Sequence, residues 1–309
     1  MSGLLPAKLT EVPASTEPVE VVGIGAATWD DLWIVPFFRS DEGVTAAIAR
    51  AQMGGGPVAT ALCVLSKLGH STALLDVVGG DETGQQIIAD LHHHGVSTQG
   101  IRWAEDSRSA VAVIQVRQWD GARQITYLPS DAGELKLDAA QRALLAQARL
   151  LHINGRHEAA AREAIGVANE HGLVISLDGG AGRYRESIRD LVEMSHLRIV
   201  SRDFARQFCG SDDLAQMMAM LLEPPAQLVV ITEGLAGSHV ALPDGFRYHQ
   251  PAYLADPVVD TTGCGDVYHG AFLHGWLEKK TATECAEFAS RVAAQNAQGL
   301  GGRWMCQSF

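Results

Sequence analysis

The sequence predicts a doubly wound α/β fold on a mostly parallel sheet, and three observations carry the prediction. From residue 138 onward, short apolar runs alternate with helical segments, the pattern that builds parallel strands joined by crossover helices. Glycines cluster beside apolar runs at Gly23 and Gly25, at Gly54 to Gly56 and at Gly263 to Gly265, and open α/β sheets collect ligands at the carboxyl ends of their strands. The 309 residues, 47% hydrophobic and 19% charged, suffice for one large core with a small insert.

Taken in order, residues 1–18 hold Pro6, Pro13 and Pro18 without apolar periodicity and read as a loose leader to a main domain at 19–309. An apolar run at 21–25 predicts a buried strand, and Trp29, Leu32, Trp33 and Ile34 continue in a second. Pro57 behind three glycines starts a helix over 56–68, which Gly69 ends. A strand at 72–78 and a helix at 85–93, closed by Gly95, follow. Residues 110–116 and 125–128 flank Asp120-Gly121 and predict a β-hairpin, which is the insert. Strands at 150–153, 174–177, 197–200 and 228–232 then alternate with helices at 159–170, 188–194 and 212–222. A Gly/Asp-rich hairpin near 243–245 and helices at 265–279 and 283–298 complete the chain.

Composition removes several functions. Lys plus Arg number 24 against 36 Asp plus Glu, and the formal charge of −12 repels phosphate backbones and anionic lipid, so neither nucleic acid nor membrane is an expected partner. No apolar stretch has transmembrane length. Lys8, followed by Glu11, Glu17 and Glu20, does not make a signal peptide, so a cytoplasmic protein is expected. Cys63, Cys209, Cys264, Cys285 and Cys306 are scattered and odd in number, which predicts neither a disulfide framework nor a zinc site.

The segment Asp260-Thr261-Thr262-Gly263-Cys264-Gly265-Asp266 runs into a charge-free helical stretch. A glycine-rich helix start is an anion trap, because its amides have no intrahelical partner and small residues admit a phosphate to the main chain. Asp266 is anomalous there, since a carboxylate repels phosphate unless it takes the proton of a hydroxyl attacking it. Taken alone, the same residue fits an N-cap on an ordinary turn equally well. Gly54-Gly55-Gly56 admits a ligand or makes a tight turn. Gly23-Ile24-Gly25 lacks the third glycine of a dinucleotide fingerprint, where Thr28 stands, and no P-loop sequence occurs.

The blocks VVGIGAATWDDLW, GGGPVATALCVLSKLG, VVGGDETGQQIIADLHHHGV and DTTGCGDVYHGAF, in this order and spacing, resemble the ribokinase or PfkB family of carbohydrate kinases over about residues 21–303. The resemblance implies a ribokinase-like domain with a small β-sheet lid, formed by segments about 30–50 and 100–130 and serving a homodimer. It implies ATP-dependent phosphorylation of a sugar hydroxyl with Mg²⁺. Asp266 then matches the catalytic base, and Gly263, Cys264 and Gly265 match the anion hole. Asp30, Gly55, Gly56 and Thr60 match sugar-binding positions. Thr232, Gly234 and Asn296 match the nucleotide side, and Asp260 a possible monovalent cation site for K⁺. Cys264 replaces the usual alanine and reads as a small apolar filler rather than a reactive thiol.

Departures shape the expected substrate. Thr60 replaces a common asparagine, Ser201-Arg202-Asp203-Phe204 replaces N-x-x-E, and Asp178-Gly179-Gly180 replaces D-x-N near the phosphates. These resemble a side branch that includes sulfofructose kinase, where Arg156 stands at an anion-binding arginine; guanidinium suits sulfonate, phosphate or carboxylate. Val44 and Tyr127 do not reproduce the branch's other polar residues, so the alternatives stay open: a neutral-sugar kinase of fructose or ribose type, a nucleoside kinase, or a non-catalytic sugar sensor. His92-His93-His94 reads as a helix end rather than a metal site, and Arg108, Arg117 and Arg123 as a solvated hairpin edge.

Overall fold

The computed structural model describes residues 18–307. The leader expected at 1–18 lies outside them up to residue 17.

The chain opens with β1 (Val21–Ile24), β2 (Thr28–Val35), β3 (Ala49–Gly55), α1 (Pro57–Lys67), β4 (Thr72–Gly79) and α2 (Glu82–His93). It continues through β5 (Val96–Ser97), β6 (Ile101–Ala104), β7 (Val111–Arg117), β8 (Arg123–Leu128), α3 (Ala139–Ala146), β9 (Leu150–Ile153), α4 (Glu158–His171) and β10 (Val174–Gly179). The second half comprises α5 (Arg189–Glu193), β11 (Leu197–Ser201), α6 (Arg202–Cys209), α7 (Leu214–Leu221), β12 (Leu228–Thr232), β13 (Ser238–Ala241), β14 (Arg247–Gln250), α8 (Cys264–Leu277), α9 (Ala282–Asn296) and α10 (Trp304–Gln307).

The main sheet runs β14-β13-β12-β11-β10-β9-β1-β4-β5, with β6 also on β4; only the β13 and β14 edge is antiparallel. Its strands are apolar on both faces. Along β1, Val21 joins one core with α1, α2, α8 and α9, while Val22 and Ile24 join a second core under α3 to α7. Helices on both faces of a mostly parallel sheet make the doubly wound architecture that the alternation predicts. The chain leaves β1 for β4 on one side and returns to β9 on the other, so the switch point lies at the carboxyl ends of β1 and β9.

A separate four-stranded sheet, β3-β2-β7-β8, packs Leu32, Met53, Ala112, Ile114 and Val116 inward. The hairpin expected at 110–128 is its β7 and β8. Two parts of the expected lid segments fall elsewhere. Ile101–Ala104 pairs with β4 in the main sheet, and residues 36–48 form a loop, with the strand from this region beginning at Ala49. The segment Ala49–Gly55, left without a strand by its small and polar residues, gains one from pairing with β2.

Candidate active site

Helix α8 starts where the sequence places it, but without a side-chain cap. Its N-cap is Gly263, at φ +70°, and a Cβ there would come within 2.5 Å of the Gly302 backbone. The loop ahead is braced from below: the buried Asp260 carboxylate accepts from the amides of Thr262 (2.8 Å) and Gly301 (2.8 Å). Asn296 donates to the Thr262 carbonyl at 3.2 Å. Gly265 is exposed, so the first-turn amides face outward with no side chain to satisfy them. Burial pushes the Cys264 thiol up to about 12, which keeps it protonated and agrees with a filler role.

Asp266 lies in this first turn with 21% of its side chain exposed. Burial raises its carboxyl above the ordinary value, Arg183 pulls it back, and Asp178 pushes it up again. Arg183 Nη1 stands 3.8 Å from Asp266 Oδ1 and 3.8 Å from Asp178 Oδ2. His269, one turn along α8, is buried between the carbonyls of Gly265 (3.0 Å) and Ile199 (2.8 Å).

On the other side of the crevice, Asp30 on β2 is buried against Gly55, where a Cβ would meet its carboxylate at 2.0 Å; only glycine admits this approach. Burial pushes Asp30 up to about 6, against a hydrogen bond from Thr28 Oγ1 (2.6 Å) and the charge of Arg303; the Asp266 charge adds to the rise, which places the two carboxylates in one field. Gly56, at φ +92°, caps α1, again without a side chain. Asp31 pairs with Arg50.

Beyond β9, Arg156 follows Asn154, whose Oδ1 accepts the Arg156 amide at 3.2 Å. Its Nε is buried and has no hydrogen-bond partner. It lines a cavity of about 180 Å³ with Ala26, Ala27, Val78, Asp131 and His157. Two acids of this cavity have partners: Asp131 pairs with Arg108 and Asp76 with His157 Nε2 at 2.8 Å, while Glu134 lies 3.1 Å from His157 Nδ1, which also accepts from the Leu135 amide at 3.1 Å. A roomier cavity, about 530 Å³, opens on the far face of the small sheet beside Trp33 and Val113 and touches none of these groups.

Other expected positions divide. Thr232 ends β12, and Gly234 follows at φ +58° on the surface of that edge. Thr60 is buried and its hydroxyl accepts from Arg303 Nε at 3.2 Å. Asn296, expected beside the nucleotide, is fully buried, and its side chain serves Thr262, Gly301 and Met305 as a brace of the loop. Arg123, expected on a solvated edge, reaches across the crevice to Thr261 Oγ1 (3.0 Å), while Gly121 O accepts from Thr261 Oγ1 at 2.8 Å. Arg183 escaped the sequence reading and Arg123 read only as a solvated edge, because their contacts to Asp266 and Thr261 join segments far apart in the chain. The described residues contain no cluster of three or more His, Cys, Asp or Glu able to hold a metal, and no helix among them is long and apolar enough to cross a membrane.

The family model described as pfkB family carbohydrate kinase matches residues 20–306. An ATP-dependent ribose-1-phosphate kinase of Halopiger xanaduensis is 26% identical, covering 92% of this chain and 94% of its own. Fructokinase-1 of Oryza sativa subsp. japonica is also 26% identical, over 87% of this chain and 90% of its own. The structure of Arabidopsis thaliana ribokinase complexed with ribose and ATP superposes with a TM-score of 0.80 at 20% identity, covering 94% of this chain and 96% of that one.

Proposed function

The chain belongs to the pfkB family of carbohydrate kinases, and from that membership we propose that it transfers the γ-phosphoryl group of ATP to a hydroxyl of a sugar bearing an anionic group. The observation that carries the reading is the pairing of an uncapped α8 start with a base in its first turn, facing a second carboxylate across the crevice. In this reading Asp30, with Gly55 and Gly56, accepts the sugar's hydroxyls and holds the reacting one toward Asp266. Asp266 takes its proton, and the amides of Gly263, Cys264 and Gly265 meet the charge developing on the phosphoryl oxygens, being oriented before the reaction starts. Thr232 and Gly234 border the nucleotide.

Arg156 sets the substrate class. Asp131 and Asp76 beside it are paired with Arg108 and His157, and its buried Nε has no partner, which leaves the guanidinium open to an incoming anion. A relative named for ribose 1-phosphate, a sugar already carrying an anion, supports that chemistry. The donors present fit the expected cations. Both Asp178 oxygens are buried without hydrogen-bond partners and would hold a hydrated Mg²⁺, which neutralises nucleotide phosphates when bound. The buried Asp260, beside the unpartnered Thr262 hydroxyl, would hold K⁺. The wholly exposed β8, with Ile125, Tyr127 and Leu128, offers the lid face for a homodimer, and five free thiols suit the cytoplasm.

The test is ADP release from ATP by purified protein with a panel of neutral, phosphorylated and sulfonated sugars and nucleosides. The expected result is a preference for an anionic sugar of roughly 10²-fold in kcat/KM. Preference for plain fructose or ribose would assign the protein to the neutral-sugar kinases.

A further inference from the structure

Three buried polar atoms beside Asp266 lack partners: both carboxylate oxygens of Asp178 and Nη1 of Arg183. Asp178 Oδ2 faces Arg183, and Asp178 Oδ1 lies 3.8 Å from His269 Nε2. Arg183 Nη1 sits 3.8 Å from each of Asp178 and Asp266, close enough for charge attraction and too far for a hydrogen bond. A guanidinium presents five donors in a rigid fork, and leaving one buried donor unmade is costly. Two carboxylates at contact distance could have taken it, yet the turn holds it short of both.

The backbone is shaped for this placement. β10 ends at Gly179, and Gly180 begins a turn whose Gly182 amide donates to Asp203 Oδ2 at 2.8 Å. A Cβ on Gly180 would lie 2.9 Å from Arg183 Nη1 and 3.1 Å from its Cζ, so the missing side chain is the space in which the guanidinium rests. The arm itself is 39% exposed, which leaves it able to shift while its tip stays in the site.

We propose that Arg183 is a catalytic residue whose guanidinium binds the oxygens of the phosphoryl group in transfer. The proposal rests on the kinase reading above and adds the side-chain cation that reading lacks. Asp266 is a negative charge at the point where an anionic group must enter, and Arg183, 3.8 Å away, is placed to offset it and then to hydrogen-bond the newcomer beside the cation that Asp178 would hold. In the step, the sugar oxygen forms its bond to the γ-phosphorus and gives its proton to Asp266. The bond from that phosphorus to the β,γ-bridging oxygen breaks, and ADP leaves with the electron pair. Arg183 keeps all its protons and follows the charge.

Full-length Arg183→Ala and Arg183→Lys test this, with ATP and ADP affinities read by calorimetry and turnover read with the best sugar of the panel. Arg183→Ala should bind ADP as the wild type does, bind ATP about tenfold more weakly, and lose roughly 10²- to 10³-fold in kcat, the scale of an arginine that meets a transferring phosphoryl group. Added guanidinium ion should restore part of that turnover, and Arg183→Lys should restore less than the native residue. Gly180→Ala, which removes no charge and crowds the guanidinium, should lower kcat in the same direction and guards against a misfolded first variant. A kcat within about threefold of wild type, equal weakening of ATP and ADP, or a rise confined to the sugar's KM would overturn the assignment. A wild-type protein that binds no ATP would instead remove the kinase reading itself.

Discussion

Helices α8 and α9 pack against each other, yet they begin in opposite ways. At α9, the Thr281 hydroxyl accepts from the Glu284 amide at 3.3 Å and the Glu284 carboxylate accepts from the Thr281 amide at 2.8 Å, a capping box closed on itself. At α8, Gly263 in a left-handed conformation leaves the amides without any side chain, and rigidity comes from Asp260 and Asn296 beneath the loop. Local rules of stability are kept where a helix only has to stand, and set aside at the start where the proposed phosphoryl group would supply the missing partner. The starts of α1 at Gly56 and α4 at His157, which border the same crevice, are also uncapped.

Four changes break or sharpen this contrast. Gly263→Ala should have the largest effect: the added methyl strains a positive φ and collides with the Gly302 backbone, so the proposed anion hole moves and kcat falls by roughly 10²-fold or more. Steady-state kinetics with unchanged circular dichroism would show it. Arg156→Ala should raise KM for an anionic sugar by about 10²-fold, with KM for ATP unaltered, since the guanidinium proposed to meet the substrate's charge is removed.

Asp30 supplies a test of opposite signs. Burial raises its folded pKa to about 6 from 3.8, so the native state gains stability from this group below pH 3.8 and loses it as pH rises through 6. Asp30→Asn should therefore stabilise the free protein at pH 8 by about 2–3 kcal/mol, with little gain near pH 4, while weakening sugar binding. Denaturant titrations at the two pH values separate these outcomes. In the wild type, kcat/KM should fall as pH drops below about 6, because Asp30 and the raised Asp266 must both be ionised to work. Thr281→Ala is the smallest change: a loss of about 1 kcal/mol in stability with kcat untouched, since that cap serves only α9.

Much of this contrast was legible in the residues. Asp260 to Asp266 marks the α8 start by composition, and strong alternation marks β9 to β12. Arg202–Cys209 was missed as a helix because its buried face, Phe204, Ala205 and Phe208, is short and interrupted by charge. Arg183 and Arg123 carry no local signature; their roles arise from a turn after β10 and a hairpin tip that folding brings to one loop. Asn296 shows the related limit that an amide at the end of a helix reads the same in the sequence whether or not it braces a buried carbonyl.

The most direct test of the central claim is ADP release by the wild type and by Asp266→Asn at saturating ATP, with and without the preferred sugar. The account predicts release that depends on sugar in the wild type and falls by roughly 10²-fold or more in the variant, with ATP and sugar affinities preserved. Sugar-independent release, or turnover near the wild-type rate in Asp266→Asn, would contradict it.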